Sequence, residues 1–220
     1  MEQPATRRGR PPTVSREDVI DASLRLIERV GVKRFTMRKL ADELNTAKMT
    51  PYYHIGDKEN LLELAANAMF DQLDLPEPDA ARWDEQLRDA NLAFRALLRR
   101  YSGMAAYATN REVAGGWRFT LWYIDLMRVA GFDGETAAGA LPVFRGLVVA
   151  DLDEAYRRTR TRSRKQSRSP APPDRDLNVW EATFWKALDG GPEVMFERGL
   201  EHAIQGLHRQ LDSQVETLRG

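Results

Sequence analysis

The chain has 220 residues, of which 42% are hydrophobic, and it carries 33 basic and 33 acidic side chains. Its length allows one large domain or two small ones, with enough apolar residues for a core. The lack of cysteine excludes disulfides, thiolate zinc sites and cysteine nucleophiles. No apolar run is long enough to span a membrane, and the N-terminus has no secretory signal, so we expect a cytoplasmic protein.

The neutral total hides an uneven distribution of charge. Residues 1–60 hold twelve Lys and Arg against nine Asp and Glu, which leaves a net negative remainder. A basic segment joined to a mildly acidic one is typical of a DNA-reading module attached to a second module. Within a basic arm, residues 1–14, Arg8 and Arg10 lie in an Arg-Gly-Arg-Pro stretch suited to a narrow A·T-rich minor groove. The alternative is a disordered tail that only improves solubility.

Capping signals delimit the first predicted helix. Ser15 is a good N-cap, and Asp18 three residues later completes a pattern that resembles a capping box. Apolar residues then recur at helical spacing until Gly31, which can end the helix in a left-handed conformation. This pattern predicts one amphipathic helix ahead of the segment that carries the most informative motif.

Two short helices joined by a tight turn are predicted next. Thr36 can cap a helix with its apolar residues on one face, and this helix ends near Leu44. Residues 45–47 are turn-prone. The following helix is rich in side chains that can donate to phosphates and base edges, and Asp57 then caps a further helix. This is the sequence form of a helix-turn-helix DNA reader.

After two prolines at residues 76 and 78, the rest of the chain has helical periodicity. Residues 117–127 are apolar almost all round, so we expect other helices to enclose this segment. Residues 157–168 contain seven basic side chains and no acidic one, and a proline-rich stretch follows. The composition of residues 157–176 is typical of a disordered, solvated loop. Further helices are predicted over residues 83–101, 141–156, around 180–188 and from 193 to 211.

Residues 15–70 resemble the N-terminal domain of the TetR family of bacterial transcriptional repressors. The resemblance rests on the helix that ends at Gly31, on Phe35-Thr36-x-Arg38-x-Leu40-Ala41, and on Tyr52-Tyr53-His54 followed by Asp57-Lys58-x-x-Leu61-Leu62. Asn45 stands where the family usually has glycine in the turn. Asparagine tolerates the left-handed conformation best after glycine, so we expect the turn to persist.

Residues 71–220 resemble, more loosely, the ligand-binding domain of the tetracycline-repressor type. Phe196-x-x-Gly199-Leu200-Glu201-x-x-Ile204-x-Gly206-Leu207 is similar to the last helix of that domain. The resemblance implies that helices 141–156 and 193–211 pair with their copies in a four-helix dimer interface, where Gly199 and Gly206 allow close approach. The predicted interface residues are Phe144, Leu147, Val148, Phe196, Leu200, Ile204 and Leu207.

The residues predicted to bind DNA fall into two groups. Arg38 can bond guanine O6 and N7 together, as the family uses this position. Lys48, Met49 and Thr50 open the second helix, where N-terminal residues reach base edges. The other group is suited to phosphates, although Tyr53 is alternatively a partly buried core residue. This group consists of Thr36, Tyr52, Tyr53, His54 and Lys58.

Aromatic and methionine side chains in the second module are candidates to line a small-molecule site, because ligand pockets between helices are largely apolar. The alternative for each residue is that it only fills the core. The candidates are Tyr101, Met104, Tyr107, Trp117, Phe119, Trp122, Tyr123, Met127, Trp180, Phe184 and Trp185.

Metal and catalytic sites find little support. Asp151, Asp153 and Glu154 share one helix, but only the outer two share a face. Tyr107 and Asp74 fall near the positions where the resemblance implies metal-assisting histidines, so a magnesium-dependent tetracycline site is not expected. Three histidines, His54, His202 and His208, and no nucleophile motif give no basis for an enzyme.

The sequence therefore predicts an all-α protein, with a three-helix helix-turn-helix head at residues 15–70 and a helical body at residues 71–220. The hypothesis is a homodimeric repressor that binds a palindromic operator, needs no cofactor, and is released by a small hydrophobic or aromatic ligand. Two alternatives stay open. One is a regulator without a ligand, controlled by dimerisation or a protein partner, and the other is an enzyme on a borrowed fold.

Overall fold

The computed structural model describes residues 14–104, 114–161, 179–188 and 191–219. Every regular element in these ranges is helical, which confirms the predicted all-α class. A 3-10 turn, Val32–Arg34, follows the first helix. The α-helices are α1 Arg16–Val30, α2 Met37–Glu43, α3 Thr50–Ile55, α4 Lys58–Phe70, α5 Trp83–Arg100, α6 Ala114–Val129, α7 Gly134–Thr161, α8 Val179–Leu188 and α9 Gly191–Arg219.

The predicted caps fix where the helices of the head begin and end. The Asp18 amide donates to Ser15 Oγ at 3.0 Å and the Ser15 amide donates to Asp18 Oδ2 at 2.8 Å, so α1 starts with the predicted capping box. It ends at Gly31, whose φ of 74° suits glycine. Helices α2, α3 and α4 then pack against α1.

Head and body share one apolar core. Helix α4 packs against α1 on one side and against α6 on the other. Phe70, on α4, stacks on Phe94 of α5 with ring centroids 5.9 Å apart. Helices α7 and α9, the two longest, lie along each other, and α5 packs against both while α6 also packs against α7. A displacement in the body can therefore reach the head through packed side chains.

Helix α7 is longer than predicted at both ends. Asp133 caps it by accepting the Thr136 amide at 2.8 Å, so the helix begins at Gly134 despite two glycines and Pro142 in its first turns. Tertiary packing overrides their weak helix propensity. The helix also continues to Thr161, so the prediction of a loop from residue 157 is wrong for residues 157–161. Residues 162–176 of the predicted loop lie outside the described residues.

Helix α6 is not enclosed on all sides, contrary to the prediction. Trp117, Leu121 and Ile124 are 49%, 56% and 48% exposed and follow each other at i, i+4 and i+7. The opposite face is buried and carries Phe119, Trp122, Tyr123, Leu126 and Met127. Composition alone does not show that this apolar helix lies at the edge of the bundle.

Candidate functional site

The turn between α2 and α3 depends on Asn45. Its φ of 51° is positive, a conformation that no other non-glycine residue adopts in the described ranges. Asparagine reaches this region more readily than other side chains, which confirms that it can replace the usual glycine. The Thr46 amide then donates to the Ala41 carbonyl at 3.0 Å, and this bond folds the chain back toward α3.

Helix α3 has one buried face and one free face. Pro51 and Ile55 are buried against the head, whereas Tyr53 is 84% exposed and Tyr52 is 39% exposed. The alternative interpretation of Tyr53 as a core residue is therefore wrong. An aromatic side chain held in solvent by a short, anchored helix is available to a partner surface.

The residues predicted to open α3 lie slightly earlier than expected. The helix begins at Thr50, so Lys48 and Met49 belong to the preceding turn. Met49 is 55% exposed and Lys48 is also exposed. Both side chains still stand at the start of α3, the end of the helix at which the base contacts are predicted.

Arg38 lies on the exposed side of α2, next to this surface. Neither Arg38 nor Lys48 forms an ion pair with any residue that the structure describes. By contrast, Arg29 donates to Glu43 at 2.5 Å and ties α1 to the end of α2. That pair lowers the pKa of the Glu43 carboxyl through the hydrogen bond from Arg29. The guanidinium of Arg38 is left for a ligand outside the protomer.

The remaining predicted DNA-binding residues within the described ranges lie at the start of α2, on α3 and at the start of α4. Thr36 Oγ1 accepts the Lys39 amide at 3.2 Å as the N-cap of α2, so its hydroxyl proton can still be donated. Lys58, at the start of α4, is exposed and lies 5.9 Å from the ring centroid of Phe35. His54 is half-buried. Arg8 and Arg10 lie outside the described residues.

Thr46 has a buried hydroxyl group that forms no hydrogen bond with any residue that the structure describes, a feature that was not predicted from the sequence. Its hydroxyl oxygen is buried and has no hydrogen-bond partner among the described residues. A buried hydroxyl without a partner loses its hydration and gains nothing in exchange. No signal in the sequence indicates it, because Thr46 lies in a turn between Asn45 and Lys48, where polar residues are usual.

Replacing Thr46 with valine, which has the same shape, is expected to raise the free energy of unfolding by about 1 kcal/mol. Urea denaturation measures the change. Thr136→Val is the matched control, because the Thr136 hydroxyl donates to Asp133 at 2.9 Å and its removal is expected to destabilise the protein. Destabilisation by Thr46→Val would show that the hydroxyl has a partner in solution.

Five of the candidate ligand-binding residues lie in the core. Two of them are methionines, and the polar groups of the other three already form hydrogen bonds within the protein. Met104 and Met127 are fully buried. Each polar group of the other three, Tyr101, Trp122 and Tyr123, has a partner inside the protein. Tyr101 donates to Gln72 at 3.1 Å, Trp122 Nε1 to the Pro76 carbonyl at 2.7 Å, and Tyr123 to the Ala137 carbonyl at 2.8 Å.

The other candidates are dispersed. Trp117 and Phe184 are 49% and 45% exposed, on different helices. Tyr107 and the side chains of Trp180 and Trp185 lie outside the part that the structure describes. Phe119, which is buried, stacks on Phe94 with centroids 5.0 Å apart. Burial of Tyr123 raises the pKa of its phenol well above the ordinary value, so the group stays neutral.

A surface groove of about 460 Å³ lies where α7 begins beside α9. None of the candidate ligand-binding side chains that the structure describes lines it. Its walls are largely polar, unlike the aromatic pocket that the sequence predicts. The lining residues are Asp133, Glu135, Thr136, Ala140, Leu207 and Gln210.

A buried ion-pair network, which the sequence did not reveal, joins α5 to α7. Arg95 donates twice to the Asp151 carboxylate, with both distances 2.9 Å. Arg99 donates to the same carboxylate at 2.9 and 3.0 Å and to Glu193 of α9 at 2.8 Å. Burial alone would raise the pKa of Asp151, but the hydrogen bonds and charges of the two arginines outweigh it and hold the pKa below its ordinary value.

This network also explains why Asp151 is not a metal ligand. Its two oxygens accept four hydrogen bonds from arginine, so no lone pair is left for a cation. The side chains of Asp153 and Glu154 lie outside the described part. No group of three or more His, Cys, Asp or Glu residues suited to a metal ion occurs in the ranges that the structure describes.

The predicted dimer residues need correction. Phe144 and Val148 of α7, and four residues of α9, are buried within the single protomer, and Leu147 is half-buried. The prediction took the most apolar stripe of each helix, and that stripe faces the protomer's own core. The four α9 residues are Phe196, Leu200, Ile204 and Leu207.

The two glycines of α9 have different surroundings. A Cβ on Gly199 would lie 2.8 Å from Leu147 Cδ2, so this glycine allows α7 and α9 of one chain to approach closely. A Cβ on Gly206 would meet nothing within 4 Å. Small or apolar exposed residues also follow α7 at positions 139, 143, 146 and 150. This second face is the one available to another molecule.

Comparisons with known proteins agree with this architecture. Residues 19–65 match the family of bacterial regulatory proteins of the tetR family, and residues 75–211 match the tetracyclin repressor-like C-terminal domain. The chain is 31% identical to the class D tetracycline repressor protein of Escherichia coli over 216 residues, 94% of this chain and 95% of that protein. The chain belongs to the TetR family.

Two further similarities bear on this TetR-family chain. It is 35% identical to an HTH-type transcriptional regulator of Saccharopolyspora erythraea over 108 residues, which cover 47% of this chain and 44% of that protein. Its fold matches apo ActR of Streptomyces coelicolor with a TM-score of 0.70 at 22% identity, covering 93% of this chain and all of that one.

Membership of the TetR family settles the class of function. The chain is a DNA-binding transcriptional regulator, and it is not an enzyme. The family acts as dimers on DNA. Among the described residues, no helix is long and apolar enough to cross a membrane.

Proposed function

We propose that this TetR-family regulator is a cytoplasmic homodimeric repressor. Its two heads, residues 15–70, bind a palindromic operator, and a small hydrophobic or aromatic ligand bound by the bodies, residues 71–220, releases it. The observation that carries the proposal is the surface of α2 and α3, where Arg38, Lys48 and Tyr53 are exposed while Pro51 and Ile55 hold the recognition helix rigidly from behind.

In this proposal some of the exposed side chains contact bases and the others contact phosphates. Arg38 reads guanine with its planar fork, and Met49 packs on a thymine methyl group. Lys48 and Thr50 reach base edges from the start of α3. The residues that bind phosphates fix the register of the protein on the duplex without reading sequence, and the basic arm adds minor-groove contacts through Arg8 and Arg10. The phosphate-binding set is Thr36, Tyr52, Tyr53, His54 and Lys58.

Two heads related by a two-fold axis would occupy successive major grooves about 34–36 Å apart. The exposed face of α7 around Gly146, together with Gly206 of α9, supplies a smooth surface for pairing with a second copy. Such a dimer is symmetric, so the operator has matching symmetry. The ligand acts by binding better when the heads are spread than when they fit the operator.

The ligand class follows from the apolar, aromatic composition of α6. ActR, whose fold this chain shares, has been solved in complex with actinorhodin, a ligand reported for that protein. We propose a planar aromatic molecule of similar size that binds without a metal ion. Asp151 is the acidic residue of the body that was considered as a metal ligand, but both of its carboxylate oxygens already accept hydrogen bonds from Arg95 and Arg99.

Selection of duplexes from a random pool by the purified full-length protein tests the DNA half of the proposal, and an inverted repeat is the expected product. Thermal denaturation with tetracycline, minocycline and actinorhodin, each with and without Mg²⁺, tests the ligand half. A compound that raises Tm is expected also to release the selected duplex. If aromatic compounds of this class neither shift Tm nor release DNA, the regulator without a ligand becomes the better hypothesis.

Lys58→Ala is expected to weaken binding equally to all duplexes and to reduce the slope of log affinity against log salt by about 1. A lysine on a phosphate releases one counterion and reads no base. Fluorescence anisotropy at several salt concentrations gives the slope. Lys186→Ala, on α8 of the body, is the control and should leave the slope unchanged. A change in sequence preference would contradict the assignment of Lys58 to phosphate.

A further inference from the structure

The head and the body meet in a joint made by two backbone turns. One turn follows α1 and the other follows α5. The Val32 amide donates to the Ser102 carbonyl at 3.0 Å, so the backbones themselves are linked. A bond between main-chain groups does not depend on side-chain rotamers, and it fixes the distance between the two turns.

Glycines on both sides allow this approach. Gly31 has φ 74° and Gly103 has φ 91°, a region that side-chain-bearing residues rarely adopt. A Cβ on Gly103 would lie 3.1 Å from Val32 Cβ, and one on Gly31 would lie 3.4 Å from the Ser102 carbonyl oxygen. The joint therefore requires the left-handed conformation of both glycines and, at Gly103, the absence of a side chain.

A charged pair orients the same joint. Arg100, the last residue of α5, donates to both carboxylate oxygens of Glu28 on α1, at 2.9 and 3.1 Å. Both side chains are about half-exposed, so the pair adds little to stability. Two parallel hydrogen bonds nevertheless restrict the angle between the helices, because both must keep their geometry together.

Arg99, the residue before Arg100, connects the same turn of α5 to the other helices of the body by hydrogen bonds. Arg99 holds Asp151 of α7 and Glu193 of α9, while Arg100 holds Glu28 of the head. Adjacent residues on one helix point in different directions, so the last turn of α5 is fixed to both parts of the molecule. A change in the position of α7 or α9 is thereby passed to α1.

We propose that this joint is a positioning device that sets the orientation of each head on its body, and hence the half-site spacing that the dimer accepts. The inference rests on the proposed function, because spacing has meaning only for a dimer on an inverted repeat. The joint consists of Glu28, Gly31 and Val32 on the head and Arg100, Ser102 and Gly103 on the body.

Charge exchange tests the orienting pair. Wild type, Glu28→Arg, Arg100→Glu and the double exchange are compared on a series of the selected inverted repeats with spacers lengthened or shortened by one or two base pairs. The single variants are expected to reduce the affinity ratio between the best and the next spacer by about fivefold or more, the low end of coupling between sites. The double variant is expected to restore it. Arg82→Glu, in an exposed pair with Glu85 at the start of α5, is the control and should keep the wild-type ratio.

Gly103→Ala tests the glycine requirement independently of charge. It is expected to relax the spacing preference. Gly131→Ala should not, because Gly131 has a similar positive φ of 92° but a Cβ there would make only an ordinary contact, 3.8 Å from Leu211. Binding to a duplex that carries one half-site is measured for every variant and is expected to stay unchanged, because the joint does not touch DNA. This readout separates a loss of orientation from a damaged head.

Each outcome has a defined meaning. Unchanged spacing preference in the single charge variants and in Gly103→Ala overturns the inference, and so does equal loss in the Arg82→Glu control or failure of the double variant to restore the ratio. If the wild type selects no inverted repeat, the proposed function itself fails. Thermal melts followed by circular dichroism identify any variant that does not fold. The variants that do fold then show whether the joint sets the spacing preference.

Discussion

Asp151→Ala is expected to lower the free energy of unfolding by about 3–5 kcal/mol, a loss typical of breaking a buried ion pair. The side chain of Asp151 is 2% exposed and that of Arg95 is 9% exposed. Removal of the carboxylate leaves the Arg95 guanidinium buried without a counter-charge, 4.5 Å above the ring of Phe196. Arg99 keeps Glu193 as a partner at the surface, so Arg95 accounts for most of the expected loss.

Denaturant unfolding at one fixed protein concentration measures this change, since the apparent stability of a dimer depends on concentration. Asp125→Ala is the matched control, because Asp125 pairs with Arg128 at 3.3 Å in solvent. That control is expected to change stability by no more than about 0.5 kcal/mol, as is usual for exposed positions. Equal losses in the two variants would contradict the special role of the buried network.

The same network gives a pH dependence whose sign follows from the lowered pKa. The pKa of Asp151 is lower in the folded protein than in the unfolded chain, where it is about 3.9. Its contribution to stability is therefore complete above about pH 4 and is lost as the pH falls through the folded-state pKa. The stability difference between the wild type and Asp151→Asn is expected to shrink on acidification. A difference that grows below pH 4 would contradict this assignment.

Arg38→Ala is expected to weaken operator binding by about 1–3 kcal/mol, roughly fivefold to 150-fold, and to relax the preference for guanine at one position in each half-site. The guanidinium is exposed on α2 and has no ion-pair partner among the described residues, so its donors are free for a base. Arg38→Lys is expected to lose most of the same discrimination, because lysine has no planar guanidinium that can donate two parallel hydrogen bonds to guanine.

Anisotropy titration against the selected operator and against single-base variants of it measures both effects. Arg82→Ala is the control, because Arg82 is exposed at the start of α5 and pairs with Glu85. It should leave affinity and preference unchanged. A loss of less than about twofold in Arg38→Ala, well below the contribution of one bidentate base contact, would remove Arg38 from the base-reading residues.

Local signals explain why the head was predictable. The capping residues Ser15, Thr36 and Asp57 each bond a backbone amide two or three positions into the helix that they precede. Such bonds depend on neighbours in sequence alone. The left-handed turn at Asn45 is likewise a property of one residue type, and the family resemblance supplied the role of Arg38.

The body was less predictable because its features depend on distant residues. Arg95 and Asp151 are 56 positions apart, and only the packing of α5 on α7 brings them together. Helix α7 has two faces of low polarity, so periodicity could not decide which face meets the core and which meets another molecule. The predicted pocket residues share this difficulty, since aromatic side chains fill cores and line cavities equally well.

The short length of α3 has a consequence for the cell. Six residues form fewer than two helical turns, and an isolated helix of this size is not stable in water. Helix α3 exists because Pro51 and Ile55 are anchored in the head core. Substitutions that loosen this core, such as Ile55→Ala, are therefore expected to melt α3 before the rest of the protein unfolds. For the proposed repressor, the expected result in a growing culture is temperature-sensitive repression, with the target gene silent in the cold and expressed on warming.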